Sequence, residues 1–242
     1  IALAALLGQI GLPGGGFGHG YGSMGDLGSP SALVDLPMAP LLKNAVRDFI
    51  PVARIADLLL QPGERFDYDG RAYTYPDVRL VYWAGGNPFH HHQDLNRLRH
   101  ALSRPDTIVV HEPYWTPMAR HADVVLPATT SFERNDIGSG RADARIVAMH
   151  RVLDPVDGAR DDHAILADLA ARLGVHAEFT EGRNERDWLE HLYAQLAENL
   201  RAAGIAAPSF DAFWDAGSLA MPDADADRVL FDAFRSDPEK NR

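Results

Sequence analysis

The stretch VRLVYWAGGNPFHHHQDLNRL, residues 78–98, decides the fold of this chain. Its apolar run at 78–84 ends in a Gly-Gly-Asn-Pro turn, and leucines from position 95 onward then recur at helical spacing. Two more apolar runs follow, at 107–112 and 123–127. The order strand, glycine turn, helix, strand, helix, strand is typical of βαβ units. The sequence therefore predicts an α/β fold, a parallel sheet with flanking helices.

Polar residues follow each predicted strand, at Gly86-Asn87, Glu112 and Thr129. Ligands of parallel sheets bind beyond the carboxyl ends of the strands. A glycine turn lets the backbone approach a pyrophosphate, and the next helix could offer its N–H groups to the anion. Glu112 could accept hydrogen bonds from ribose hydroxyls, and the Thr129 hydroxyl could reach a nucleotide or cap a turn. This pattern predicts a nucleotide site.

Composition excludes several classes of function. The chain has 242 residues, a hydrophobic content of 46% and a net charge of −11, which disfavours a nucleic-acid partner. It has no cysteine, and hence no disulfide, thiolate nucleophile or iron–sulfur ligand of its own. No apolar run approaches the roughly 20 residues of a membrane span.

We predict three regions: a loop-rich N-terminal segment at 1–77, an α/β core at 78–173 and a helical extension at 174–242. The N-terminal segment contains the end of a buried helix at 1–10 and a glycine-rich loop at 11–40, which holds nine glycines and four prolines. The other predicted elements are a helix at 50–60, a hairpin at 66–75 around Asp69-Gly70, a strand at 145–153, helices at 161–173 and 185–203, and two short helices near 210–214 and 229–234.

The chain begins at Ile1, without methionine and inside a predicted helix. We therefore expect it to be a piece of a longer protein, with any targeting signal upstream. The sequence leaves the compartment open between cytoplasm and periplasm, and it leaves the oligomeric state open.

Three segments together resemble one family of enzymes. They are GQIGLPGGGFG at 8–18, AGGNPFH at 84–90 and WTPMARHADVVLPATTSFERND at 115–136. The chain resembles the molybdopterin oxidoreductases of the dimethyl sulfoxide reductase type, with the dimethyl sulfoxide, trimethylamine N-oxide and biotin sulfoxide reductases most similar. The resemblance extends from residue 1 to about 173.

The resemblance implies that this segment has a nucleotide-binding, Rossmann-like fold. It would hold the guanosine end of one of two molybdopterin guanine dinucleotides (the bis form), a cofactor that we expect to be absent from the fragment. The parent enzyme would transfer oxygen from a small S-oxide or N-oxide to Mo(IV), with two electrons from an unidentified donor. Its metal ligand would lie upstream and its pocket would need further domains of the same polypeptide, so the fragment alone should be inactive.

The resemblance also implies roles for single residues. It places His91 near the dinucleotide and Gly15 and Gly16 near the pterin, and it makes Asp162 a candidate reader of the guanine edge. From the residues alone, Asp162 precedes an apolar helix and is a natural N-cap. We predict no catalytic set and no metal ligand, because three adjacent histidines at 90–92 rarely converge on one ion. The formal GxGxxG at 20–25 follows no strand, which argues against a dinucleotide fingerprint.

Two alternative functions remain open at this point. The same βαβ unit could bind NAD(P) in a dehydrogenase, or it could be a non-catalytic scaffolding module that binds no nucleotide.

Overall fold

The structure is a computed structural model that describes residues 1–17, 34–40, 46, 49–140, 143–222, 229, 231–237 and 239. The predicted GxGxxG at 20–25 lies outside these residues. In chain order the elements are α1 (Ala2–Leu6), α2 (Ile55–Leu60), β1 (Arg65–Tyr68), β2 (Arg71–Thr74), β3 (Leu80–Ala84), α3 (Leu95–Ala101), β4 (Thr107–His111), β5 (Val124–Leu126), β6 (Asp136–Gly138), β7 (Arg145–Met149), α4 (Asp162–Leu173), α5 (His176–Thr180), α6 (Glu185–Ala202), α7 (Phe210–Ala216), β8 (Ser218–Ala220) and α8 (Ala233–Ser236).

The chain divides into two compact units, each made of separate stretches of sequence. The first contains residues 1–39, 135–150 and 183–242, and the second contains residues 40–134 and 151–182. The domain boundaries expected from the sequence, after residues 77 and 173, remain predictions.

The second unit is built on a three-stranded parallel sheet in the order β3-β4-β5. This confirms the mixed α/β class and the parallel pairing predicted from the three apolar runs. One face of the sheet carries Ile108 and Val110, which are 2% and 0% exposed, and it packs on α2 and α3 through Leu59 and Leu98. Because side chains alternate along a strand, Tyr82 and His111 lie on the opposite face.

A hairpin precedes the sheet, as predicted. β1 and β2 pair in antiparallel fashion. Asp69 and Gly70 join them with φ angles of +48° and +71°, the left-handed conformation that a tight two-residue hairpin turn requires at both positions.

The predicted helix between β4 and β5 is wrong. The structure has only a one-turn 3-10 helix there, Ala119–His121. Pro113 and Pro117 explain the difference, because proline lacks the N–H that a helix interior needs. The connection is therefore an extended loop beside the carboxyl edge of the sheet.

The predicted buried helix at 1–10 is also wrong in its burial. α1 ends at Leu6, and only Ala4 among its residues is buried. Leu3 and Leu6 are 68% and 86% exposed. A five-residue helix is too short to form an apolar stripe of its own, so its burial depends entirely on packing partners.

The first unit contains an antiparallel sheet in the order β6-β7-β8, with α6 and α7 packed on it. Ile146 of β7 contacts a core formed with Leu196, Leu200 and Phe213. Asn184 begins α6 with a capping box, in which its side chain accepts from the Asp187 N–H while Asp187 returns a hydrogen bond to the Asn184 N–H. The predicted strand at 145–153 is confirmed over its first five residues, and the predicted helix at 185–203 is confirmed to within one residue. None of the helices described is long and apolar enough to cross a membrane.

Candidate functional site

The candidate site is the carboxyl edge of the parallel sheet. The strand register aligns Ala84, His111 and Leu126 in one row at the ends of β3, β4 and β5. Neighbouring strands lie about 4.8 Å apart, so the backbones that follow β3 and β5 are separated by roughly 10 Å. The residues after each strand end therefore border one shallow region, as the sequence predicts for Gly86-Asn87, Glu112 and Thr129.

The turn after β3 places a buried amide at this edge. Gly85 and Gly86 both have φ +77°, a left-handed conformation that glycine adopts readily. Asn87 follows them and is 8% exposed, and its Oδ1 accepts from the Phe89 N–H at 3.2 Å. Its Nδ2 is buried and has no hydrogen-bond partner in the part of the chain that the structure describes. Such a donor costs about 1–3 kcal/mol until something accepts from it.

The prediction that a helix N-terminus follows this turn is wrong. Asn87 begins only a 3-10 turn, Pro88–His90, in which proline supplies no N–H. α3 begins at Leu95. Its N-cap is Asp94, whose side chain accepts from the Arg97 N–H at 3.0 Å. Any anion at this turn would meet the Gly86 backbone and the Asn87 amide rather than an α-helix terminus.

Glu112 continues the sheet beyond β4. Its N–H donates to the Leu126 carbonyl at 3.2 Å, which fixes the backbone beside β5. Its side chain is half-buried, and Oε2 accepts from the Thr116 hydroxyl at 2.9 Å. Across the described stretches of the chain, Oε1 has no hydrogen-bond partner. Glu112 thus presents a positioned acceptor at the middle of the edge.

Thr129 forms the third part of the edge. It is 6% exposed, and its N–H donates to the Arg160 carbonyl at 3.1 Å, while the Arg160 N–H donates to Pro127 at 3.0 Å. Its Oγ1 is buried and has no partner among the residues that the structure describes. Thr130, in contrast, donates both its N–H and its hydroxyl to Glu133, at 2.8 and 2.7 Å.

Glu133 is a buried acid that the sequence interpretation missed. It is 7% exposed, and the Thr130 backbone, the Thr130 hydroxyl and the Val156 N–H all donate to it. These hydrogen bonds, with the backbone bond from Thr130 the largest cause, hold the pKa of Glu133 below its usual value of 4.5. Its role is structural, because it joins the loop at 130–133 to the segment before α4.

The prediction that Asp162 caps α4 is wrong. The N-cap is Asp161, whose side chain accepts from the Ala164 N–H at 2.8 Å. Asp162 is the first helical residue, and its Oδ1 lies 2.7 Å from His111 Nδ1. The Asp162 side chain remains 53% exposed. It is therefore free of the capping role and available to a ligand.

His111 and Tyr82 complete a chain of side chains that the sequence did not reveal. His111 is 2% exposed, and its Nε2 lies 2.6 Å from the Tyr82 hydroxyl. Desolvation of its hydroxyl, and secondarily the charge of Asp162, raise the pKa of Tyr82, so the hydroxyl keeps its proton. The only available signal was that Tyr82 and His111 share one face of neighbouring strands.

The last three predicted site residues are His91, Gly15 and Gly16. His91 is exposed at the end of the 3-10 turn. Gly15 and Gly16 belong to the other compact unit, and a Cβ at either position would lie 3.1 Å from the Gln9 carbonyl oxygen, so local packing already favours glycine there. Among the described residues, no group of three His, Cys, Asp or Glu side chains could hold a metal ion.

Comparisons with known proteins identify the family. The sequence profile of "Molybdopterin oxidoreductase" matches residues 1–172. The chain is 47% identical to a biotin sulfoxide reductase of Cereibacter sphaeroides, over 98% of this chain and 32% of the relative. It is 45% identical to a dimethyl sulfoxide/trimethylamine N-oxide reductase of Rhodobacter capsulatus, over 100% and 31%. A trimethylamine N-oxide reductase of Haemophilus influenzae is 42% identical, over 100% and 31%.

A solved structure, acetylene hydratase from Pelobacter acetylenicus, matches 62% of this chain and 19% of its own at 17% identity and a TM-score of 0.45. The sequence relatives are far more similar, and the chain spans about a third of their length. The family resemblance predicted from three short segments is confirmed, and this chain belongs to the molybdopterin oxidoreductase family.

Proposed function

We propose that this chain is the part of a molybdenum-dependent S-oxide or N-oxide reductase that holds the guanosine end of a molybdopterin guanine dinucleotide. In this proposal the parallel sheet works as a Rossmann-like nucleotide-binding core. The glycine-rich segment, including Gly15 and Gly16, lies near the pterin, and the enzyme carries the cofactor in its bis form.

The observation that carries the proposal is a pair of buried polar atoms at one sheet edge. Asn87 Nδ2 and Thr129 Oγ1 have no partner in the described part of the chain, yet their residues are 8% and 6% exposed. Buried polar groups in folded proteins nearly always find a partner, and a bound ligand is one way to supply it. Glu112 lies between them at the end of β4, and Asp162 contacts His111 at the same strand end. Two donors and two carboxylates suit a nucleotide, which offers phosphate oxygens, ribose hydroxyls and base N–H groups.

Each residue then has a distinct task in binding. The Gly86 backbone and Asn87 Nδ2 approach the pyrophosphate or sugar, and His91 donates from the exposed side of the turn. Glu112 Oε1 accepts from the ribose, as acids at the second strand do in dinucleotide folds. Thr129 Oγ1 contacts the nucleoside, and Asp162 accepts from the N–H donors of the guanine edge.

The chemistry of the reaction would come from the cofactor when it is bound, because molybdenum exchanges an oxygen atom and two electrons with the substrate. The residues described here bind and orient one end of that cofactor and exclude water from it. The metal ligand, the substrate pocket and the contact with the electron donor would be supplied by further domains of the same polypeptide.

The relatives' names support this proposal, since they are reductases of biotin sulfoxide, dimethyl sulfoxide and trimethylamine N-oxide. The family assignment also favours it over the NAD(P) dehydrogenase and the scaffolding module. Both alternatives remain distinguishable by the nucleotide that the protein carries.

The test is the nucleotide content of the full-length protein that contains this chain, purified with its cofactor. Acid release should yield guanine nucleotide in a ratio of about two per molybdenum. Release of adenine nucleotide without molybdenum would support the dehydrogenase, and absence of any nucleotide would support the scaffolding module. Either result would contradict the proposal.

A further inference from the structure

We infer that His111 is a positioning residue for guanine recognition, which acts by fixing the carboxylate of Asp162. This inference rests on the proposed function and adds to it a determinant of base specificity. His111 itself is buried behind Asp162 and contacts no ligand.

The protonation pattern follows from what each group can donate. An ionised Asp162 can only accept, so the hydrogen bond at 2.7 Å places the proton of His111 on Nδ1. With a single proton on the ring, Nε2 is an acceptor, and the Tyr82 hydroxyl at 2.6 Å donates to it. This arrangement pairs both ring nitrogens of His111, and Tyr82 thereby selects the tautomer that serves Asp162.

Two neighbouring strands fix the backbone positions of His111 and Tyr82. His111 is 2% exposed at the end of β4, and Tyr82 belongs to the neighbouring β3 strand. The start of α4 is fixed separately, because the segment before it pairs with Ala128 through a parallel bridge at Arg160. Asp161 takes the capping role, so Asp162 has no second task. Strand and helix are thus joined through a single imidazole.

The exposed part of Asp162 is what a ligand would meet. Its side chain is 53% exposed, and Oδ2 has no hydrogen bond to the residues that the structure describes. A freely rotating aspartate would lose rotamer freedom on binding, whereas one held at Oδ1 has already lost it. A carboxylate in a fixed orientation selects a base with two adjacent N–H donors, which guanine has on its N1 and its exocyclic amine. Hypoxanthine lacks the amine, and adenine presents an acceptor at N1.

The test measures the preference for guanine, which a merely structural role would not change. Guanosine, inosine and adenosine diphosphates are titrated into the 242-residue chain by NMR, which reaches millimolar Kd values. The wild-type chain should prefer the guanosine to the inosine ligand by about tenfold, the value of one hydrogen bond to a charged group. His111→Leu should reduce this ratio to near one. His111→Asn should largely restore it, because its amide N–H can replace Nδ1.

Further variants make the result decisive. If His111 acts through Asp162, the double variant His111→Leu/Asp162→Asn should show the same ratio as Asp162→Asn alone. Tyr82→Phe keeps the ring and removes only the hydroxyl, and it should lower the ratio about two- to threefold. His100→Leu is the matched control and should leave the ratio unchanged, because His100 is exposed in the last turn of α3.

The outcomes separate this inference from the proposed function. A wild-type chain that binds guanosine no better than adenosine diphosphate contradicts both. Preference for guanosine over adenosine without discrimination against inosine overturns the inference alone. A folded His111→Leu variant that keeps the wild-type ratio, including one that weakens the binding of both ligands equally, also overturns the inference. Should His111→Leu fail to fold, Tyr82→Phe decides, and an unchanged ratio there overturns the inference.

Discussion

Replacing Asn87 by serine separates its two hydrogen-bonding roles. Oδ1 caps the 3-10 turn by accepting from the Phe89 N–H at 3.2 Å, whereas Nδ2 is buried without a partner in the described residues. Serine caps about as well as asparagine but has no amide donor. Because the cap is kept and the buried, unpaired amide is removed, Asn87→Ser should leave the free energy of unfolding of the ligand-free chain unchanged or raise it by up to about 1–3 kcal/mol.

The effect on ligand binding should have the opposite sign. A hydrogen bond from Nδ2 to a phosphate oxygen contributes about 1.5–3 kcal/mol, so its loss should weaken binding of guanosine diphosphate by about ten- to a hundredfold. Asn87→Asp keeps the capping oxygen and places a negative charge beside the phosphate, so it should weaken binding further. The measurements are NMR titration for the Kd and urea denaturation for stability.

The matched control is another capping residue of the same unit. Asp94 begins α3 and accepts from the Arg97 N–H at 3.0 Å, but it lies outside the site. Asp94→Ala should cost about 1 kcal/mol of stability and leave the Kd unchanged. The reasoning would be refuted by an Asn87→Ser variant that is folded and binds guanosine diphosphate as tightly as the wild type.

Three more predictions follow from the structure. Glu112→Ala in the full-length protein should lower guanine content per polypeptide with the fold intact, because losing a charge-assisted hydrogen bond costs about 1.5–3 kcal/mol; unchanged content would count against the ribose assignment. The pKa of Glu133 is lowered in the folded state, so the stability that its carboxylate contributes is complete above its usual pKa of 4.5 and is lost as pH falls through the folded pKa. Glu133→Gln should therefore flatten the pH dependence of the free energy of unfolding in that window. Parallel curves for the variant and the wild type would contradict this. The 242-residue chain alone should not reduce S-oxides or N-oxides with reduced viologen, and sustained turnover with stoichiometric molybdenum would show that it is more than a cofactor-holding segment.

Much of the fold could be predicted because its signals are local. The apolar runs that became β3, β4 and β5 each end at a glycine, an acid or a proline, and the turn at Asp69-Gly70 requires left-handed residues that these two supply. The helix at 161–173 shows apolar residues at helical spacing, and Gly174 closes it with φ +78°. Parallel pairing was predicted from the alternation of strands and helices along the chain.

The errors arose where packing or chain breakers decide. The predicted second crossover helix ignored Pro113 and Pro117, which leave room for only a single 3-10 turn. The predicted helix N-terminus after Gly86-Asn87 failed because α3 begins eight residues later than Asn87, at Leu95. The N-cap of α4 was misplaced by one residue, since Asp161 and Asp162 are chemically equivalent in a sequence pattern.

The candidate site was predicted in its outline but not in its connections. Glycine turns and acids at strand ends are visible in a sequence, so Asn87, Glu112 and Thr129 could be identified. The contact of His111 with Tyr82 and Asp162 joins residues 29 and 51 positions apart, and no local pattern encodes it. Thr130 donates its hydroxyl to Glu133, whereas the Thr129 hydroxyl is buried without a partner in the described residues. This difference between neighbouring threonines depends on three-dimensional packing and cannot be predicted from the sequence.

A structure of the full-length protein with its cofactor bound tests the central claim most directly. The account predicts that Asn87 Nδ2 and Thr129 Oγ1 each lie within about 3.5 Å of an oxygen or nitrogen of the guanosine diphosphate portion, with Glu112 at the ribose and Asp162 at the guanine edge. A cofactor whose every atom lies more than about 5 Å from Asn87, Glu112 and Thr129, beyond hydrogen-bonding range, would contradict it.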